Sequence, residues 1–169
     1  MNQKENSVKE CKDVISLLEA QHDIILEPLT GLERLSLDLD KIIDDNRSFA
    51  KVSEFVDALS FALSRYFIVE EDYVFPELQK VLPDQSSTSA MKYEHSILIA
   101  LCSKIKEQVL CIHTPSFKVE DLQSSIIALS DVLQRHLHKK NHMIIYEVQA
   151  LLPQETQDAI YIKIKDKLG

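Results

Sequence analysis

The chain has 169 residues, 27 of them acidic against 19 basic, for a formal net charge of −8. That length suits one domain with a sizeable core. The acidic balance argues against a nucleic-acid partner, whose phosphate backbone selects clustered Lys and Arg. No apolar run approaches the ~20 residues that span a bilayer, and Met1-Asn2-Gln3-Lys4-Glu5-Asn6 lacks the apolar stretch of a signal peptide; a cytoplasmic protein is expected.

Two Gly, no Trp, and abundant Leu, Ile, Glu, Lys and Ser predict a mostly helical chain. Helix 1 is expected over 7–40, with Pro28 and Gly31 marking a kink. Its apolar seam reads Cys11, Ile15, Leu18, His22, Ile25, Leu29, Leu32. Helix 2 is expected over 48–81, capped by Ser48 and bent near Pro76, with the seam Val52, Val56, Leu59, Leu63, Tyr66, Glu70, Tyr73. Helix 3, over 87–112, carries Met91, His95, Leu98, Cys102, Ile105, Val109, Ile112. Helix 4, over 116–152, starts at Ser116 with Glu120 nearby and carries Leu122, Ile126, Leu129, Leu133, His136, Lys140, Met143. After Pro153, Ile160, Ile162 and Ile164 alternate with polar residues at a strand-like period. A lone strand has no partner in a helical bundle, so a short terminal helix is expected there. The prediction is a single all-α domain over 1–169. It is an up-down-up-down four-helix bundle over about 7–152 with a C-terminal extension over 153–169.

His22, Tyr66, His95 and His136 each interrupt one seam, where residues three and four apart share a face. In an up-down-up-down chain, turns should fall midway between residues at one level. The midpoints lie near positions 44, 80 and 115, beside Asp44-Asp45-Asn46, the run 83–87 and Thr114-Pro115-Ser116. Four polar residues thus converge on one candidate buried site. An internal repeat supports the pairing. Ala58-Leu59-Ser60 matches Ala128-Leu129-Ser130, Arg65-Tyr66 matches Arg135-His136, and Glu70 falls against Lys140. Helices 1 and 3 echo each other more weakly, at His22-Asp23-Ile24-Ile25 and His95-Ser96-Ile97-Leu98. Paired helix hairpins of this kind build metal sites from facing side chains.

Other polar groups read as ordinary. Cys11 and Cys102 lie on seams and, with Cys111, have no metal-type spacing, so free thiols are expected. His138 and His142 lie off the His136 seam and should face solvent, as should Glu71 and Asp72. His113 suits a helix C-terminus.

A His and a Glu at i and i+4 on one helix face point at the same spot, which makes them a frequent metal-ligand unit. Through Gln21-His22-Asp23, the segment Tyr66-Phe67-Ile68-Val69-Glu70-Glu71-Asp72-Tyr73-Val74-Phe75-Pro76, Glu94-His95 and His136-Leu137-His138-Lys139-Lys140-Asn141, the sequence resembles the hemerythrin-like, cation-binding (HHE) family over nearly its whole length. The nearest pattern is the six-ligand one of the family's iron–sulfur repair branch: a His on helices 1 and 3, and His-x-x-x-Glu on helices 2 and 4. The resemblance implies His22, Glu70, His95 and His136 as metal ligands and one or two non-haem iron ions as cofactor.

Two positions depart from that pattern. Tyr66 stands where the family has His, and Lys140 where it has Glu. A lysine ammonium has three donors and no lone pair, so Lys140 brings a positive charge to the place of a bridging carboxylate. A Lys140–Glu70 ion pair, joined by the Tyr66 hydroxyl, is the expected substitute for metal, tolerable only if well hydrogen-bonded. A bundle with a degenerate metal site, possessing no iron and acting as a regulatory or interaction module, is therefore the first reading. The alternative is a non-haem iron protein that senses or carries oxygen, nitric oxide or redox signals, or assists iron–sulfur cluster repair. No nucleophile–base–orienter arrangement supports an unrelated hydrolytic activity. Charge and hydropathy exclude nucleic acid and membrane as partners, and nothing in the sequence marks a protein partner.

Overall fold

The computed structural model describes residues 11–39 and 46–168. Its helices are α1 (Val14–Asp38), α2 (Asn46–Val69), α3 (Phe75–Val81), α4 (Ser86–Leu110), α5 (Val119–Lys139), α6 (Ile145–Leu151) and α7 (Gln154–Leu168). A π-helical turn, Glu70–Val74, joins α2 to α3, and a second, Lys140–Ile144, joins α5 to α6. No strand occurs among the described residues. Around the bundle, α1 packs on α2 and α5, and α4 packs on the same two helices. This is the expected four-helix bundle, and α7 is the helix expected for the tail.

Several boundaries move for local reasons. The first helix starts at Val14, because Asp13 caps it: its carboxylate accepts the Ser16 N–H at 2.7 Å, while Ser16 Oγ accepts the Asp13 N–H at 3.2 Å. Cys11 therefore lies before the helix. The expected start at Ser7 and the expected turn at Asp44-Asp45 lie outside the described residues. Ser48 is inside α2, which begins at Asn46, so it is not the cap. Nor does Ser116 cap α5, where Lys118 holds the cap position without a side-chain bond; Ser116 Oγ pairs with Thr114 Oγ1 at 3.1 Å. The first helix continues through the buried Pro28. At Gly31 a Cβ would sit 2.6 Å from the tip of the Phe55 ring, so the ring of α2 packs over the glycine and would have to shift for any larger residue.

The core falls into two apolar clusters. One is built from Ile25, Leu29, Leu32, Val56, Leu59, Leu63, Leu98, Ile105, Leu129 and Leu133, among others. The second gathers Val14, Leu17, Leu18, Val74, Phe75, Leu78, Ile144, Ile145 and Val148, with Ile160 and Ile164 of α7. Each fully buried Leu or Ile contributes roughly 1.5–3 kcal/mol. The polar residues of the site lie on the same helices near the junction of the two clusters.

The π turns shift the seams. Within each, one N–H reaches back five residues instead of four: Phe75 N–H to the Glu70 carbonyl, and Ile145 N–H to the Lys140 carbonyl. The extra residue advances the inward face by one position. Val74 and Ile144 are buried in place of the expected Tyr73 and Met143, which are half-buried. Likewise, Val14, Leu17 and Gln21 are buried on α1, leaving Ile15 and His22 half-buried at the edge of the stripe.

Candidate metal centre

Three of the four expected ligands come together. Glu70, His95 and His136 each present one ligand atom, and these atoms lie within 4.8 Å of one another. All three are buried: Glu70 and His136 are 0 % exposed and His95 is 2 % exposed. His95 Nε2 lies 3.0 Å from Glu70 Oε2, and His136 Nε2 lies 4.0 Å from the same oxygen.

The outer ring nitrogens fix the orientation of both imidazoles. His95 Nδ1 is 2.5 Å from Glu71 Oε1, and His136 Nδ1 is 3.1 Å from Glu94 Oε2. A carboxylate only accepts, so each Nδ1 carries a proton and each ring turns its Nε2 inward. Phe67 stacks on His95 at 3.7 Å between ring centroids and 12° between planes, which locks that ring further. Burial works against the Glu94 carboxylate, but bonds from Lys139 and His136 outweigh it and hold the group below the usual range. Burial pushes the His136 imidazole down, against the pull of Glu70, so the neutral ring is favoured.

That arrangement is incomplete by itself. His95 Nε2 faces a carboxylate oxygen at 3.0 Å, a contact that is favourable only with a proton or a cation between the two atoms. Glu70 Oε1 and His136 Nε2 are buried with no hydrogen-bond partner. Buried unpartnered polar atoms each cost about 1–3 kcal/mol, which a cation held among them removes. Two imidazoles, each steadied from behind by a carboxylate, and one glutamate fit one transition-metal ion.

They do not fit two. Lys140 is fully buried, and its ammonium donates to the Leu18 carbonyl at 2.7 Å and lies 4.5 Å from the centroid of the Tyr66 ring. Burial pushes its pKa down to about 8, against the pull of Glu70 and Glu19, so the ammonium is still charged at neutral pH. The expected Lys140–Glu70 ion pair is not made. The chain places a backbone carbonyl within closer reach of the ammonium, and Glu70 stays near enough only for through-space attraction. The Tyr66 hydroxyl does not bridge them either. It is buried against Glu70 without a hydrogen bond of good geometry, and burial together with that carboxylate raises the phenol's pKa well above its usual value.

His22 stands apart from the three convergent ligands. Its Nδ1 is 3.3 Å from Asn141 Nδ2, and burial and the Lys140 charge lower its pKa. Its neighbour Gln21 is the buried residue, with an unpartnered Oε1. His138 and His142 are exposed as expected, their rings 4.2 Å apart. Two residues that steady the site escaped the seam argument. Glu71 was expected at the surface, and Glu94 lies beside rather than on its seam. The signal was present as a carboxylate next in sequence to Glu70 and another next to His95.

An all-helical bundle with a buried, carboxylate-braced pair of histidines and a glutamate offers a candidate cation site. The chain belongs to the hemerythrin HHE cation binding domain family, whose match covers residues 13–148. No curated protein matches the chain.

Proposed function

We propose that the protein binds one non-haem metal ion, with ferrous iron as the natural occupant, between Glu70, His95 and His136, and serves as a regulatory module that responds to occupancy of that site. The observation that supports it most is the convergence of His95 Nε2, His136 Nε2 and a Glu70 oxygen on one buried spot, with His95 Nδ1 held by Glu71. A cation held there would satisfy Glu70 Oε1 and His136 Nε2, which are buried with no hydrogen-bond partner. A ferrous ion on two histidines and one carboxylate keeps open coordination positions for a small exogenous ligand such as oxygen, nitric oxide or peroxide. The chain's own groups orient both rings, exclude water through Phe67 and Phe75, and repel a second cation through Lys140.

Protein purified without a His tag and reconstituted anaerobically with ferrous iron should hold about one ion per chain, the capacity of a three-ligand site. His95→Ala and Glu70→Ala should abolish that uptake. Uptake of about two ions, or none, would overturn the mononuclear reading.

A further inference from the structure

We propose that His138 and His142 form a second metal site, on the surface, which takes one late first-row divalent ion of the nickel, copper or zinc class. It shares no residue with the Glu70–His95–His136 centre and goes beyond the function proposed for that centre.

His138 lies in the last turn of α5 and His142 in the π turn that follows, so the two sit one turn apart along the helix. Both are exposed, and their ring centroids are 4.2 Å apart at 47° between planes. Among the described residues nothing hydrogen-bonds to either ring, so the ring nitrogens are free for an ion from solvent. A helix that already holds two imidazoles side by side spares an incoming ion most of the cost of ordering them. On binding, the hydrated ion exchanges two waters for two ring nitrogens, and no electron moves.

The neighbouring cations leave room for that charge. Lys139 is paired with Glu94, and the Lys140 ammonium turns inward to the Leu18 carbonyl. Arg135, three residues before His138, is exposed, where solvent and salt screen it. The donor set selects the ion. Two imidazole nitrogens without a carboxylate pass over magnesium and calcium, which take oxygen, and bind ferrous iron more weakly than nickel, copper or zinc. The first π turn carries Ile68 and Asp72 at the repeat-equivalent positions, so the site belongs to the second half of the repeat alone.

Nickel(II), titrated by calorimetry into the full-length untagged chain, is the probe, because it leaves the free thiols unoxidised. Wild type should bind about one more nickel ion per chain than either His138→Ala or His142→Ala, the capacity of a single two-nitrogen site. That difference does not depend on whether the buried centre fills. Both side chains are exposed, so the variants keep the fold, and ferrous uptake should be the same in all three proteins. Nickel should also raise the Tm of wild type more than that of His138→Ala, since only the folded chain holds the two rings together. His95→Ala should keep the surface ion while losing the buried one. Equal nickel binding by wild type and His138→Ala overturns the surface site, whatever the buried centre does. Loss of the extra nickel ion in His95→Ala, with that variant folded, overturns it as well, because the ion would then belong to the interior.

Discussion

The stretches 66–81 and 136–151 share one backbone and carry opposite chemistry. Each ends a long helix in a π turn, each sends an N–H back five residues at its exit, and each buries the corresponding trio: Val74, Phe75 and Leu78 against Ile144, Ile145 and Val148. Yet the first turn opens on Glu70 and the second on Lys140. The first is followed by Pro76, and the second by Tyr146 at the repeat-equivalent position. Proline therefore does not cause the π turn, since the second turn forms without one. The shared apolar pattern around the turn accounts for both. Chemistry at the opening residue can then invert from carboxylate to ammonium without altering the fold.

The largest test of this comparison restores its lost symmetry. Lys140→Glu with Tyr66→His should raise iron uptake from about one ion per chain to about two, because acceptor lone pairs replace a cation. Elemental analysis after anaerobic reconstitution reads the change; a folded double variant that still holds one ion would show that the second turn has lost more than its ligands.

Lys140 also leaves a pH signature that Glu70's turn lacks. Below about pH 8 both folded and unfolded chains carry the proton, and burial exacts its full cost. Between about 8 and the ordinary 10.5, the unfolded chain keeps a proton that the folded chain has released, so stability rises with pH. The span corresponds to about 3 kcal/mol at 1.36 kcal/mol per unit. Denaturant unfolding of wild type and Lys140→Met should show their stability difference change by that order across the window; a constant difference would mean that the ammonium is better solvated than its burial implies.

A smaller effect probes the braces. Glu94→Gln leaves His136 without a charged partner at Nδ1 and should weaken metal binding about 10–100-fold, roughly 1.4–2.7 kcal/mol, with helicity unchanged. Isothermal titration with zinc(II) measures it. The smallest expected change is Tyr146→Pro, which copies Pro76 into the second turn. An interior proline ordinarily costs about 3 kcal/mol, but the π turn has already broken the regular bonding, so a loss below ~1 kcal/mol is expected in thermal unfolding.

Much of this was legible in the chain itself. The four seams, two of the loops and the convergence of Glu70, His95 and His136 follow from a 3.6-residue period and turn midpoints. What failed did so where that period breaks. The π turns add a residue, so Tyr73 and Met143 were expected where Val74 and Ile144 are buried. On α1, Gln21 shares the inward face and His22 turns to Asn141, a rotation of part of a turn that an apolar stripe does not specify. Likewise, the Lys140–Glu70 bridge failed because a backbone carbonyl, invisible to side-chain bookkeeping, was the closer acceptor.

The C-terminal helix carries a practical consequence for handling the protein. The family match stops at 148, whereas α7 places Ile160 and Ile164 in the second apolar cluster and its Tyr161 hydroxyl donates to the Cys11 carbonyl. A fragment trimmed to the matched stretch keeps every proposed ligand, but it strips cover from the oily end of the bundle built around Val14, Leu17 and Phe75. Such a fragment should clump at the concentrations used for spectroscopy. A negative metal assay on it would then report a raw hydrophobic surface and say nothing about the ligands.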